Sequence, residues 1–254
     1  MVDYPGLLAD LDAEETELDA IVAGIDDDAW LAPTPAAGWD VRDSIAHLAY
    51  SEELAATALS DPEAFQERLR AMLADLRATE EGMLREGRAR PGHEVLGWWR
   101  AERRRVLENL RGREPSERVA WITGPMSAVS FATARLMETW AHGQDVLEAL
   151  GVSRARTARL RHVADLGVRT RPFSYAVHGR TLPDRDVRVE LVGPDGDCWE
   201  WGESTTDTIR GDALDFCLVV TRRRRPAETA LEVRGPLARE WIDIAQAFAG
   251  PPAT

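Results

Sequence analysis

Through residues 3–150 the apolar positions recur every three or four residues, the period of helices that bury one face. Leu7, Leu8, Leu11, Leu18, Ile21, Val22 and Ile25 mark a first helix that ends near Gly24–Asp28. A second starts at Asp40, placed to N-cap it, with Asp43 at the third position to return the bond. That helix carries Ile45, Leu48 and Leu54, and His47 lies well inside it. A third is predicted from Pro62 to about Glu86, with Phe65, Leu69, Met72, Leu73, Leu76, Met83 and Leu84 on its apolar side. Gly92 to Arg111 makes a fourth, bearing Val95, Trp98, Trp99, Val106 and Leu110. The last begins after Gly124-Pro125 and stops at Gly151, a left-handed cap. Long amphipathic helices with short joins make an antiparallel bundle, whose interior suits metal ligands from facing helices.

Beyond Gly151 the pattern changes, which sets the expected domains at residues 1–151 and 152–254. Arg154 to Arg169 reads as one more helix. Strand-like pieces follow at Val187–Val192, Asp197–Gly202 and Thr206–Gly211, the first two joined by the turn Gly193-Pro-Asp-Gly into a hairpin. Asp212 to Arg224 is predicted as a helix, Thr229 to Arg234 as a strand, and Pro236 to Ala249 as a closing helix with proline in its first turn. The expectation is a small α+β domain of ordinary domain size.

Charge narrows the partners. Thirty-one basic against 44 acidic residues give a net charge of −13, which argues against a general nucleic-acid binder. No apolar run is long enough for a membrane span, and the acidic start Met1-Val-Asp-Tyr-Pro does not resemble a signal peptide. Two cysteines, Cys198 and Cys217, make no disulfide framework, so a reducing cytoplasm is expected. The chain has no lysine, which excludes Schiff-base chemistry and a Walker-type phosphate loop. A Gly-x-Ser-x-Gly elbow and a Gly-x-Gly-x-x-Gly fingerprint are also absent.

What remains is a pattern of metal-ligand type. Glu138 and His142 lie four apart in Ala134-Arg-Leu-Met-Glu-Thr-Trp-Ala-His, so on a helix they share one face. At that spacing a carboxylate oxygen and an imidazole nitrogen can bind one ion, each at about 2.0–2.2 Å. His47, from another helix, can supply a third ligand and leave a fourth position open, as catalytic zinc sites do. Spacing alone also fits an ordinary surface ion pair. Asp43, four before His47, can orient its imidazole, although capping is the simpler role. His93, His162 and His178 sit in polar stretches and read as solvated surface.

Trp39-Asp-Val-Arg-Asp-Ser-Ile-Ala-His-Leu, followed much later by Glu138-Thr-Trp-Ala-His, resembles the metal-binding bundle of the DinB-like superfamily. More narrowly it is similar to the mycothiol-dependent maleylpyruvate isomerase group and its actinobacterial metal-binding relatives. The ending Gly-Pro-Leu followed by Trp241-Ile-Asp-Ile-Ala-Gln-Ala-Phe-Ala-Gly extends the likeness to the second half. The resemblance implies a DinB-like helical bundle joined to a small α+β, sterol-carrier-like domain. It implies His47, Glu138 and His142 as ligands of a divalent metal, zinc, and mycothiol as the thiol cofactor. It also implies an arginine of the second domain facing an acidic substrate. The nearest match is the run Arg222-Arg-Arg-Arg225, with Arg222 the candidate for a catalytic role; the same run also reads as a cationic helix C-terminus.

Three functions are therefore expected in order. First comes a zinc- and thiol-dependent isomerase or S-transferase acting on a small electrophile, acidic in one version. The second is a metal-dependent hydrolase or lyase using metal-bound water. The third is a non-catalytic metal- and ligand-binding module.

Overall fold

The computed structural model describes residues 3–250, and the chain divides into two compact units after Arg154. Among the described residues the first holds six α-helices: α1 (Tyr4–Val22), α2 (Val41–Ser60), α3 (Pro62–Ala74), α4 (Leu76–Arg88), α5 (Gly92–Arg111) and α6 (Ala128–Ala149). Helix α2 is the centre of the bundle and packs against α3, α4, α5 and α6. Its inward side is fully buried at Val41, Ile45, Leu48 and Ala49, against Val95 and Trp99 of α5 and Trp30 in the connection before it. Val41, Ile45 and Leu48 each stabilise the fold by about 1.5–3 kcal/mol relative to an exposed side chain.

The start of α2 is fixed as its sequence predicts. Asp43 N donates to Asp40 Oδ1 at 2.8 Å, and Asp40 N donates to Asp43 Oδ2 at 3.2 Å, a reciprocal capping box. This box sets where His47 falls on the bundle interior.

The predicted single helix 62–86 is two helices. Asp75 takes a non-helical conformation (φ −154°, ψ 86°) and its Oδ1 accepts from Ala78 N at 2.9 Å, so it caps α4 instead of continuing α3. A two-stranded ribbon of β1 (Arg118–Val119) and β2 (Met126–Ser127) precedes α6, where no strand is expected from the sequence. Gly151 closes α6 with φ 65°, as its position predicts.

The second unit begins at Ala155. The helix read over 154–169 forms only as α7 (Leu160–Arg169), because Arg154 belongs to the bundle, where its guanidinium pairs with Glu14 and donates to Trp140 O. A further helix, α8 (Arg171–Val177), follows. The sheet has the order β4-β3-β5-β6, formed by β3 (Arg188–Val192), β4 (Cys198–Trp201), β5 (Thr208–Asp212) and β6 (Glu232–Arg234). The β3–β4 hairpin is antiparallel, with Val192 opposite Cys198, and Gly196 at φ 84° supplies the left-handed turn residue. Strands β3 and β5 are parallel, so the segment after β4 must pass the end of β3. Gly202 makes this possible: at φ 73°, a Cβ there would lie 2.4 Å from Val187 O.

Val189, Leu191 and Ile209 face inward under α9 (Ala213–Val220) and its Phe216 and Val219. Helix α9 stops four residues before the predicted end at Arg224. Arg222 adopts φ 63°, and Arg222 N and Arg223 N turn back to the carbonyls of Val219 and Leu218. The closing helix α10 spans Pro236–Ile244 and not 236–249, because Gln246 N donates instead to Ser174 Oγ of α8 at 3.0 Å. No helix among the described residues is long and apolar enough to cross a membrane.

Candidate metal centre

Helices α2 and α6 pack side by side, and that contact brings together residues 91 positions apart in sequence, His47 and Glu138. One donor atom from each of His47, Glu138 and His142 lies within 4.8 Å of the other two. Glu138 Oε2 is 3.6 Å from His142 Nε2 and 4.0 Å from His47 Nε2. Ligands at about 2.1 Å in a tetrahedral shell stand roughly 3.4 Å apart, so these two separations are slightly wider than such a shell would hold them. The side chains are 14–29% exposed, half-buried with an opening. A surface ion pair does not carry a second imidazole on the same carboxylate oxygen.

The indole of Trp39, one residue before the capping box, covers both imidazoles. Its ring centroid is 5.3 Å from that of His47 and 5.9 Å from that of His142, with a 19° interplanar angle to the latter. Nδ1 of His142 faces Asp145 Oδ2 at 3.5 Å. Asp145 is 4% exposed and lies one turn beyond its partner on α6. Such a carboxylate favours the tautomer with the proton on Nδ1, which places the lone pair, the metal-ligating electrons of an imidazole, on Nε2. Asp43 has no such role for His47. It is fully buried and accepts from Arg88 Nε at 3.0 Å and Arg88 Nη2 at 2.7 Å.

Behind the three residues the bundle buries further charge. Glu52 is wholly inaccessible and 3.7 Å from the guanidinium of Arg135, itself 2% exposed. Burial pushes the Glu52 carboxyl up to about 7; Arg135 pulls it down and the charge of Glu138 pushes it further up. The ion-pair distance alone would predict a low value, but neither Glu52 oxygen accepts a hydrogen bond, so desolvation prevails. Glu15 of α1, also inaccessible, is raised well above the ordinary range, by burial first and then by Glu52.

An apolar hollow of about 240 Å³ opens against His47. Its apolar lining is Leu54 and Met83, both buried, Met72 and Ile122, half-buried, and the exposed Leu76.

The remaining candidates are not among the three clustered donors. Among the described residues His93 is exposed, and His162 and His178 are half-buried, with His178 Nδ1 2.8 Å from Ser174 O. Arg222 is in the second unit, just past α9, where burial lowers its pKa and its Nε has no hydrogen-bond partner. Asp145 and Glu52 escape a reading of the sequence, and Trp39 figures in it only as the start of a motif, with no role beside the imidazoles. For Asp145 the i, i+3 spacing from His142 offers a signal; for Glu52 there is none.

Residues 11–147 match the family model described as the mycothiol maleylpyruvate isomerase N-terminal domain. Two proteins of Mycobacterium tuberculosis, from strains CDC 1551 / Oshkosh and ATCC 25618 / H37Rv, are each 45% identical over 253 residues. The matches cover 99% of this chain and 98% of theirs, and both relatives are named only as uncharacterized proteins. Among solved structures, that of the mycothiol-dependent maleylpyruvate isomerase superposes with a TM-score of 0.62 at 12% identity, over 91% of this chain and 93% of that one. A histidine-to-alanine mutant of the same isomerase gives 0.58 at 12% identity, over 86% and 88%. At such identity these two likenesses speak for the fold.

Proposed function

This chain belongs to the family of the mycothiol maleylpyruvate isomerase N-terminal domain, and from that membership we propose a metal- and thiol-dependent enzyme, an isomerase or S-transferase acting on a small electrophile. The observation that carries the reading is the convergence of three donor atoms within 4.8 Å beside a hollow that His47 also lines. His47, Glu138 and His142 would hold a divalent ion, and two imidazoles with one carboxylate suit zinc. Zinc, when bound, holds a thiol as its thiolate, the nucleophilic form that is scarce for a free thiol at neutral pH. Mycothiol is the thiol this reading names.

The chain's own residues divide the work. Glu138 contributes the one formal charge among the three donors. Asp145 orients His142, and Trp39 keeps water from the faces of both imidazoles. The apolar hollow receives the electrophile and keeps it from bulk water. Three protein donors leave a position for sulfur, whereas a structural zinc site would be closed by four.

The test is to measure bound metal by elemental analysis and then turnover of an activated alkene with and without mycothiol. One zinc per chain and turnover only with the thiol are expected. Full turnover without any thiol would remove this reading and favour metal-bound water.

A further inference from the structure

The hollow against His47 has the wrong lining for an anion and the right one for a carbonyl. Leu54, Met72, Leu76, Met83 and Ile122 make its walls, and no arginine is among its lining residues. The one carboxylate is Glu80, at the rim. Leu76 is 58% exposed, a large apolar side chain left standing at the mouth of an apolar space. A carboxylate buried among these apolar walls loses most of its hydration and finds no guanidinium partner there; only an ion held by His47, at one end of the hollow, could offset that loss. An uncharged apolar body loses little.

Besides Glu80, the hydroxyl of Thr79, which already donates to Asp75 O at 2.9 Å, and the indole of Trp39, the polar groups of the hollow come from one face of α2: His47, Tyr50 and, one turn beyond His47, Ser51. Ser51 differs from the other hydroxyls further along that helix. Thr57 and Ser60 donate to the carbonyls four residues back, each at 2.8 Å. Ser51 Oγ instead accepts from Arg135 Nη1 at 2.6 Å, and among the described residues its own O–H has no acceptor. Arg135 is almost wholly buried, its guanidinium 4.8 Å from the Trp121 ring centroid. A desolvated cation bonded to a hydroxyl oxygen withdraws electron density and makes that O–H a stronger donor.

We propose that the substrate of this site is an uncharged, largely apolar α,β-unsaturated carbonyl compound, its body in the hollow and its carbonyl oxygen on the hydroxyl of Ser51. This rests on the reading of the site as the seat of an electrophile. The hydrogen bond draws electron density from the conjugated double bond and so raises the electrophilicity of its far carbon. Arg135 acts through Ser51 and is a positioning residue.

The experiment uses the full zinc-loaded chain without thiol and two probes of matched frame, the ketone benzylideneacetone and the anion cinnamate. Calorimetry gives the Kd of each, and infrared spectroscopy gives the carbonyl band of the bound ketone. The ketone is expected to bind at least about tenfold tighter than cinnamate, with its carbonyl band moved to lower frequency. Ser51→Ala is expected to weaken the ketone by about tenfold, the effect of one hydrogen bond, and to return the band to its free position. Ser51→Thr keeps the hydroxyl and restores both. Met83→Trp fills the hollow and abolishes ketone binding independently of Ser51. Equal or tighter binding of cinnamate, an unmoved band, retained affinity in Met83→Trp, or no binding of either probe would each overturn the proposal. None of these readouts involves thiol. A chain that prefers cinnamate yet turns over only with mycothiol would therefore lose this proposal and keep the function above.

Discussion

Nδ1 of His142 lies 3.5 Å from Oδ2 of Asp145, and the carboxylate is buried where water cannot replace it. A carboxylate behind a ligand imidazole fixes the ring orientation and raises its basicity, which is worth about 10–100-fold in metal affinity. Asp145→Asn is therefore expected to weaken zinc binding by that factor, measured by competition against a chromophoric chelator. His142→Ala should lose stoichiometric zinc while circular dichroism stays helical. Unchanged affinity in Asp145→Asn would show that the pair does not support a ligand.

The buried carboxyl of Glu52 makes stability depend on pH with a definite sign. Its folded value of about 7 stands above the ordinary 4.5. Between these values the folded chain holds the proton and the unfolded chain does not, so stability falls as pH rises from 4.5 to 7. At about 1.4 kcal/mol per unit the loss is on the order of 3 kcal/mol. Glu52→Gln is isosteric with the protonated acid. Urea unfolding should find it close to the parent near pH 4.5 and more stable than the parent at pH 8. A stability difference that does not change with pH would mean that Glu52 is ionised in the folded chain throughout, as a partner of Arg135.

The first unit was legible in the sequence wherever the information is local. The reciprocal cap of Asp40 and Asp43 and the helical period of α2, α5 and α6 follow from neighbouring residues. The break at Asp75 did not, because Met72, Leu76 and Met83 keep their spacing across it and an aspartate fits equally well inside a helix or at its start. The three ligand-type residues stood out because the chain has only five histidines, whereas Asp145 is one acid among 44 acidic residues. The parallel pairing of β3 with β5 depends on the path of the chain between them, which no run of alternating residues encodes. Ser51 matters only through Arg135, 84 residues away, and such a relationship exists only after folding.

Arg222 is the one non-glycine residue with positive φ among those described, and its backbone, at φ 63°, ends α9. Glycine adopts that conformation without the Cβ conflict, a relief of roughly 1 kcal/mol. Arg222→Gly is expected to raise Tm by a few degrees and, with an uncharged substrate, to leave kcat/KM unchanged. A fall of tenfold or more in kcat/KM in a variant of normal stability would assign Arg222 to the reaction as an anion partner.

The proposed nucleophilic sulfur comes from outside the chain, and the two cysteines are poor substitutes for it. Cys217 is fully buried, its Sγ 3.5 Å from Leu160 O. Cys198 is exposed, but local desolvation and then the Glu200 carboxylate push its thiol up, away from the reactive thiolate. The double variant Cys198→Ala/Cys217→Ala is expected to keep full turnover with mycothiol and none without it. Its only cost should be about 1 kcal/mol of stability from the small cavity at position 217, visible in urea unfolding. Loss of turnover in the variant, with the fold and the bound zinc retained, would place the sulfur chemistry on the chain itself. Cys198→Ala alone would then identify the residue, because a buried Cys217 cannot reach a substrate without local unfolding.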